Sequence, residues 1–173
     1  MRAVSISRVI CLVCIAFGSS PVAWADDCLQ ASEAAIAQAK VPHAVTHVMT
    51  EPGKPGSRME LIFIDDKAFT KMNGAWSSMP YPTQQQIDTV MTARSRTEKT
   101  PHTCEKVANQ TINGEAASLY VVRTEVPGKA TEGRVWISDK TGLPLKSEVH
   151  LSSGTVIIDD FQYNNITAPP GVK

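Results

Sequence analysis

Charge imbalance and long apolar runs are both scarce in this chain, and each scarcity closes off a class of function. Seventeen Lys and Arg are matched by seventeen Asp and Glu, with no long block of either sign. A nucleic acid or an anionic membrane surface therefore has no basic patch to recognise, and no nucleic-acid partner is expected. No apolar stretch reaches the roughly 18 to 20 residues that a transmembrane segment needs. Familiar catalytic fingerprints are missing as well: there is no Gly-x-Ser-x-Gly, no His-Glu-x-x-His, no phosphate-cradling glycine loop and no dinucleotide-binding turn. The expectation is a protein that is not an enzyme and uses neither cofactor nor metal.

Cysteine is also sparse, and its placement is informative. Cys11 and Cys14 fall in an opening segment where Arg2 and Arg8 precede the apolar run Val9 to Phe17, and Ala23-Trp24-Ala25 offers small residues at the −3 and −1 positions of a cleavage site. That pattern predicts a signal peptide over residues 1–25, cleaved after Ala25, and a periplasmic or secreted product. The span 26–173 is then about the size of one domain. Losing Arg2 and Arg8 leaves fifteen basic against seventeen acidic side chains, a small negative balance. Only Cys28 and Cys104 remain, and in an oxidising compartment such a pair is most simply one disulfide. A reactive thiol site would favour a Cys-x-x-Cys spacing instead.

What the chain has in quantity is strand-forming sequence punctuated by legible turns. Two helices stand apart from it. Asp27 followed by Gln30 predicts a capped start to the alanine-rich stretch Cys28 to Lys40, which ends where Val41-Pro42 disfavours continuation. Pro82-Thr83 with Gln86 three residues on reads as a capping box, with Ile87, Val90, Met91 and Arg94 following at helical spacing to about Ser95. Asn73-Gly74 and Asn113-Gly114 each sit between strand-like runs and predict tight hairpins. Strands are expected near 43–50, 57–64, 67–72, 75–79, 103–112, 115–126, 132–138, 144–152 and 155–164, with a loop at Pro127-Gly128-Lys129. Nine short strands joined by turns, with two helices, make an α+β fold built on an antiparallel meander.

Several side chains invite a chemical reading. His43 and His47 are four apart, but in a β-branched segment opened by a proline they lie on a strand, some 13 Å from each other and too far to share an ion. Met49, Met59, Met72, Met79 and Met91 could join them in a copper chaperone, though scattered methionines more often fill gaps. Asp65-Asp66 and Asp159-Asp160 are paired carboxylates, yet neighbours on a strand point to opposite faces and cannot converge unaided. The more telling feature is an excess of apolar residues: Tyr120 and Val122 oppose Leu119 and Val121, and Trp136 opposes Val135 and Ile137. Both faces of the sheet are thus partly covered, either by an ordinary core or by a cavity that an acyl chain could enter.

Three stretches carry a family resemblance. LIFIDDKAFTKMNGAW (61–76) resembles a hairpin leading to Gly-x-Trp, NGEAASLYVVRT (113–124) a Gly-Glu strand ending in mixed aromatic and aliphatic residues, and VWISDKTGLPLKSEV (135–149) a tryptophan-containing strand that turns at Thr-Gly-Leu-Pro. In this order they are similar to the periplasmic lipoprotein carriers and the related mycobacterial lipid-carrying lipoproteins. That resemblance implies an open half-barrel, a curved antiparallel sheet with two helices packed on one face, and a non-enzymatic container for a lipid or acylated ligand. Chosen by face parity and residue type, the candidate wall residues are Met59, Leu61, Phe63, Trp76, Leu119, Val121, Val135, Ile137, Val149 and Ile158. The alternative expectation is an envelope protein–protein interaction module without a ligand cavity, supported by the open edges of a meander and the Pro-rich tail.

Overall fold

Three two-residue turns set the shape of the sheet. Asp65-Asp66 joins β2 (Ser57–Ile64) to β3 (Lys67–Met72), Asn73-Gly74 joins β3 to β4 (Ala75–Pro80), and Asn113-Gly114 joins β5 (His102–Ile112) to β6 (Glu115–Thr124). All six turn residues have positive φ, from 51° to 84°, the conformation that a type I′ turn demands and that matches the twist of the flanking strands. The computed structural model describes residues 23–124 and 131–172. The predicted signal peptide, apart from its last residues, lies outside the described residues, as do Pro127-Gly128-Lys129 and the end of the strand expected to reach residue 126.

The remaining strands are β1 (His43–Thr50), β7 (Thr131–Ser138), β8 (Pro144–Leu151) and β9 (Val156–Gln162). All nine form one antiparallel sheet in the order β4-β3-β2-β1-β9-β8-β7-β6-β5. The arrangement is therefore two meanders, one of four strands and one of five, zipped together where β1 pairs β9 from Ala44↔Gln162 to Thr50↔Val156. The two edges are β4 and β5, so the sheet does not close.

Helix α1 covers Ala23–Ala39 and α2 covers Thr83–Glu98. The expected Asp27 cap is overturned: α1 begins upstream, and the Asp27 carboxylate instead accepts the Lys106 backbone N–H at 2.9 Å, giving an edge-strand donor a partner. The disulfide Cys28–Cys104, with Cα atoms 5.3 Å apart, ties the same turn of α1 to β5. Closing a loop of 76 residues is worth roughly 4 kcal/mol in the chain-entropy account.

The capping box expected at Thr83 is corrected too. Thr83 makes no capping bond to its own helix, and Gln86 Nε2 donates to the Tyr81 carbonyl, 3.2 Å away. The N-terminus is served from outside by Asp66. Helix α2 also runs three residues past Ser95, to Glu98.

Both helices lie on the same face of the sheet, but not in the same way. Helix α1 rests on β5 and reaches β6, β7 and β8, with Ala34 in a buried cluster with Tyr120 and Ile137. Helix α2 packs chiefly on α1 and hardly touches the strands. It links one sheet edge to the other, crossing the concave side. At 16 residues it is about 24 Å long, against an arc of roughly 38 Å along nine strands, as suits a chord across a curled sheet.

The outer face is finished differently. Leu119, Val121 and Trp136 are buried there with Ala117, and Trp136 Nε1 donates to Gln110 at 2.6 Å. Around them runs a charge ladder in which Arg123 bridges Glu105 and Glu132, Arg134 bridges Glu132 and Glu148, and Lys146 and His150 flank Glu148. Glu148 is held below the usual carboxylate range, first by its hydrogen bond to His150, with Lys146 and Arg134 adding attraction against partial burial. A face bearing this ladder is the one that meets water.

Candidate ligand cavity

Strand register decides which side chains look toward the helices. His43 pairs Phe63, Val45 pairs Leu61 and His47 pairs Met59 across β1 and β2, while Val45 pairs Phe161 and His47 pairs Asp159 across β1 and β9. These residues share one face, because side chains alternate along a strand. From the helix side come Ala35, Gln38 and Ala39 of α1 and Gln86, Thr89 and Val90 of α2. Between them lies a cavity of about 300 Å³. A second cavity, of about 520 Å³, lies under the same helices and is lined by Leu29, Ala31, Val90, Ala93, Thr97 and Val122 among others. Val90 borders both. The volumes fall in the range that holds small ligands.

The candidate wall residues divide by register. Met59, Leu61 and Phe63 line the first cavity. Val135, Ile137 and Val149 stand on the same face without bordering either cavity, Ile137 being packed beneath α1. Trp76, Leu119, Val121 and Ile158 stand on the opposite, outer face, as their partners Lys71, Trp136, Arg134 and Glu148 show. The Trp76 ring is capped by Lys71 Nζ, 5.6 Å from its centroid, and Trp136 by Lys146 at 5.0 Å. Parity in isolated hairpins cannot relate the β3–β4 and β5–β6 hairpins to one another; the β1–β9 pairing does.

Sequence reasoning missed the polar part of the cavity. His43 is buried, stacks on Phe63 at 4.7 Å and donates from Nδ1 to the Val41 carbonyl at 2.9 Å. Burial pulls its pKa below the ordinary histidine value, only partly offset by that hydrogen bond. His47 Nδ1 lies 2.7 Å from Asp159 Oδ1, and Ser147 Oγ donates to Asp159 Oδ2 at 3.1 Å. Tyr163 anchors α1 behind them, donating to the Pro144 carbonyl at 2.5 Å and accepting from Gln38 Nε2 at 3.2 Å. The signal for the histidines was present: residues four apart on a strand share a face.

A further grouping lies beside the second cavity, where ligand atoms of Cys28, Cys104 and His102 fall within 4.8 Å of one another. The two sulfurs are joined in the disulfide, so neither is a thiolate able to bind metal.

No protein-family model matches the sequence, and no curated protein matches it. Solved structures do resemble the fold. A chain of the Pseudomonas aeruginosa MucA/MucB complex superposes with a TM-score of 0.54 at 15% identity, over 83% of this chain, which spans 59% of that one. LprF from Mycobacterium bovis matches with a TM-score of 0.48 at 11% identity, covering 84% of this chain and 97% of its own. LppX from Mycobacterium tuberculosis gives 0.46 at 15%, covering 83% and 100%. At such identities the likeness is one of fold alone, an open curved antiparallel sheet with two helices on one face.

Proposed function

We propose that this protein is an exported, non-enzymatic container that holds a lipid or acyl chain between its curved sheet and its two helices. One observation carries the reading: α2 spans the sheet resting on α1 rather than on the strands, and the space beneath it is walled by Val45, Met59, Leu61, Phe63, Val90 and Phe161. An apolar cavity of this kind gains by taking up hydrocarbon at about 25 cal/mol per Å² removed from water. Among the described residues, the Ser147–Asp159–His47 arrangement resembles catalytic machinery but points elsewhere. Ser147 donates to Asp159 and not to His47, so the imidazole is not placed to activate that hydroxyl as a hydrolytic triad would.

The test is direct. Protein purified without detergent is extracted with organic solvent and the extract examined by mass spectrometry, and the stripped protein is titrated with a fluorescent fatty-acid analogue. A stoichiometric lipid or saturable probe binding supports the container; an empty extract together with no probe binding rejects it. In that event an interaction module becomes the better reading. Met79 on edge strand β4 and Met72 at the end of the neighbouring β3 are exposed, at 56% and 62%, and the solved complex that shares this fold is itself one of two proteins.

A further inference from the structure

The polar groups lining the first cavity include a His–Asp pair, and the charge on its wall is one-sided. Among its lining residues there is no Lys or Arg, while Asp159 contributes a carboxylate. His47 is held against that carboxylate through Nδ1, and Asp159's second oxygen is occupied by Ser147. With the Asp159 carboxylate ionised, the pair carries one negative charge when His47 is neutral and none when it is protonated. His43, the other imidazole on this wall, is kept toward its neutral form by burial. Arg94, the one Lys or Arg lining the neighbouring cavity, already has an interaction within the protein.

With Nδ1 taken, the ring nitrogen that His47 offers the cavity is Nε2, for which no partner among the described residues is found, although the atom is not sealed from solvent. Water can serve that nitrogen in the empty cavity, and a ligand that displaces the water must supply the hydrogen bond in its place. A carboxylate or phosphate head suits only the protonated ring and would then lie beside Asp159 with no other cation to balance it. A hydroxyl suits both forms, donating to the bare nitrogen or accepting from the protonated one.

Resting on the container reading, we infer that His47 and Asp159 form a seat for the uncharged hydroxyl head of an amphiphile, such as a long-chain alcohol or an acylglycerol, with its hydrocarbon against Leu61, Phe63 and Phe161. Anionic amphiphiles of the same chain length bind there more weakly, through charge rather than shape.

The experiment compares dodecanol with dodecanoate by calorimetric titration of delipidated protein near neutral pH, below the solubility limit of dodecanol and the micellar concentration of dodecanoate. Dodecanol is expected to bind more tightly by at least about tenfold. His47→Leu weakens dodecanol severalfold and leaves dodecanoate weak. Asp159→Asn, nearly isosteric, removes the charge and raises dodecanoate affinity relative to dodecanol severalfold, and it carries the test if the His47 variant does not fold. Dodecanoate binding as well as dodecanol, or discrimination unchanged in Asp159→Asn, overturns the head-group seat and leaves the container standing. Failure of both amphiphiles and of the fluorescent probe to bind overturns the container and the seat with it.

Discussion

Asp66 Oδ1 accepts two hydrogen bonds from Thr83, one from its backbone N–H at 2.9 Å and one from its hydroxyl at 3.1 Å, so the β2–β3 turn caps the helix that spans the cavity. The Asp66 carbonyl accepts the Tyr81 N–H at 2.8 Å as well. A tight turn thereby fixes where α2 starts. Asp66 has φ of 56°, a conformation that Asp and Asn tolerate better than residues without a short polar side chain. Asp66→Ala should lose both the cap and the backbone preference, costing roughly 1–3 kcal/mol. Asp66→Asn keeps an acceptor and the turn conformation and should stay within about 1 kcal/mol of the parent. Urea midpoints of the three proteins check this, and equal losses in the two variants would mean that the cap contributes nothing.

Tyr163 makes the alkaline limb of stability predictable. Burial, the larger cause, raises its phenol above the ordinary tyrosine value, and the hydrogen bond from Gln38 offsets this only in part. Tyr120 is raised too, by burial first and then by Asp27 and Asp139. A folded-state pKa above the unfolded one means stability that is whole below about pH 10 and is lost as pH climbs beyond it, because the unfolded chain sheds the proton first. Tyr163→Phe leaves the Pro144 carbonyl and the Gln38 amide without this partner and should cost roughly 1–3 kcal/mol near neutral pH. At about pH 11 the gap between parent and variant should narrow. Denaturant midpoints at both pH values test it, and a gap that stays constant refutes the linkage.

Local chemistry was legible in this sequence, and long-range pairing was not. Each turn residue with positive φ at Asn73-Gly74 and Asn113-Gly114 announced its hairpin, because few other residues accept that backbone. The disulfide followed from counting the cysteines that lie beyond the predicted signal peptide. Nothing local said that Ala44 to Thr50 would pair with Val156 to Gln162, yet that pairing joins the two meanders and decides which face of every hairpin looks inward. Hence Leu61 and Ile158, equivalent by hydrophobic pattern, end on opposite faces. The helix caps misled for a related reason. In the sequence Asp27 and Thr83 stand where caps for their own helices belong, whereas Asp27 is bound by β5 and Thr83 by the β2–β3 turn, partners set by the tertiary fold.

That division of faces gives the sharpest mutational contrast. Leu61 lines the first cavity, whereas Ile158 lies on the outer face opposite Glu148, and both are half-buried aliphatic residues at the middle of strands. Leu61→Trp places an indole in space that the ligand's hydrocarbon would occupy and should weaken binding of the fluorescent fatty-acid analogue by about tenfold or more, since the lost apolar contact is worth over ~1 kcal/mol. Ile158→Trp adds the same bulk beside the charge ladder, where overpacking costs roughly 1–3 kcal/mol of stability but leaves the cavity untouched. Its probe affinity should remain within about twofold of the parent, a change of ~0.4 kcal/mol. Probe titrations on both variants, each first shown to unfold cooperatively, decide the matter: equal effects on binding, or a larger effect from Ile158, would place the ligand somewhere other than beneath the helices.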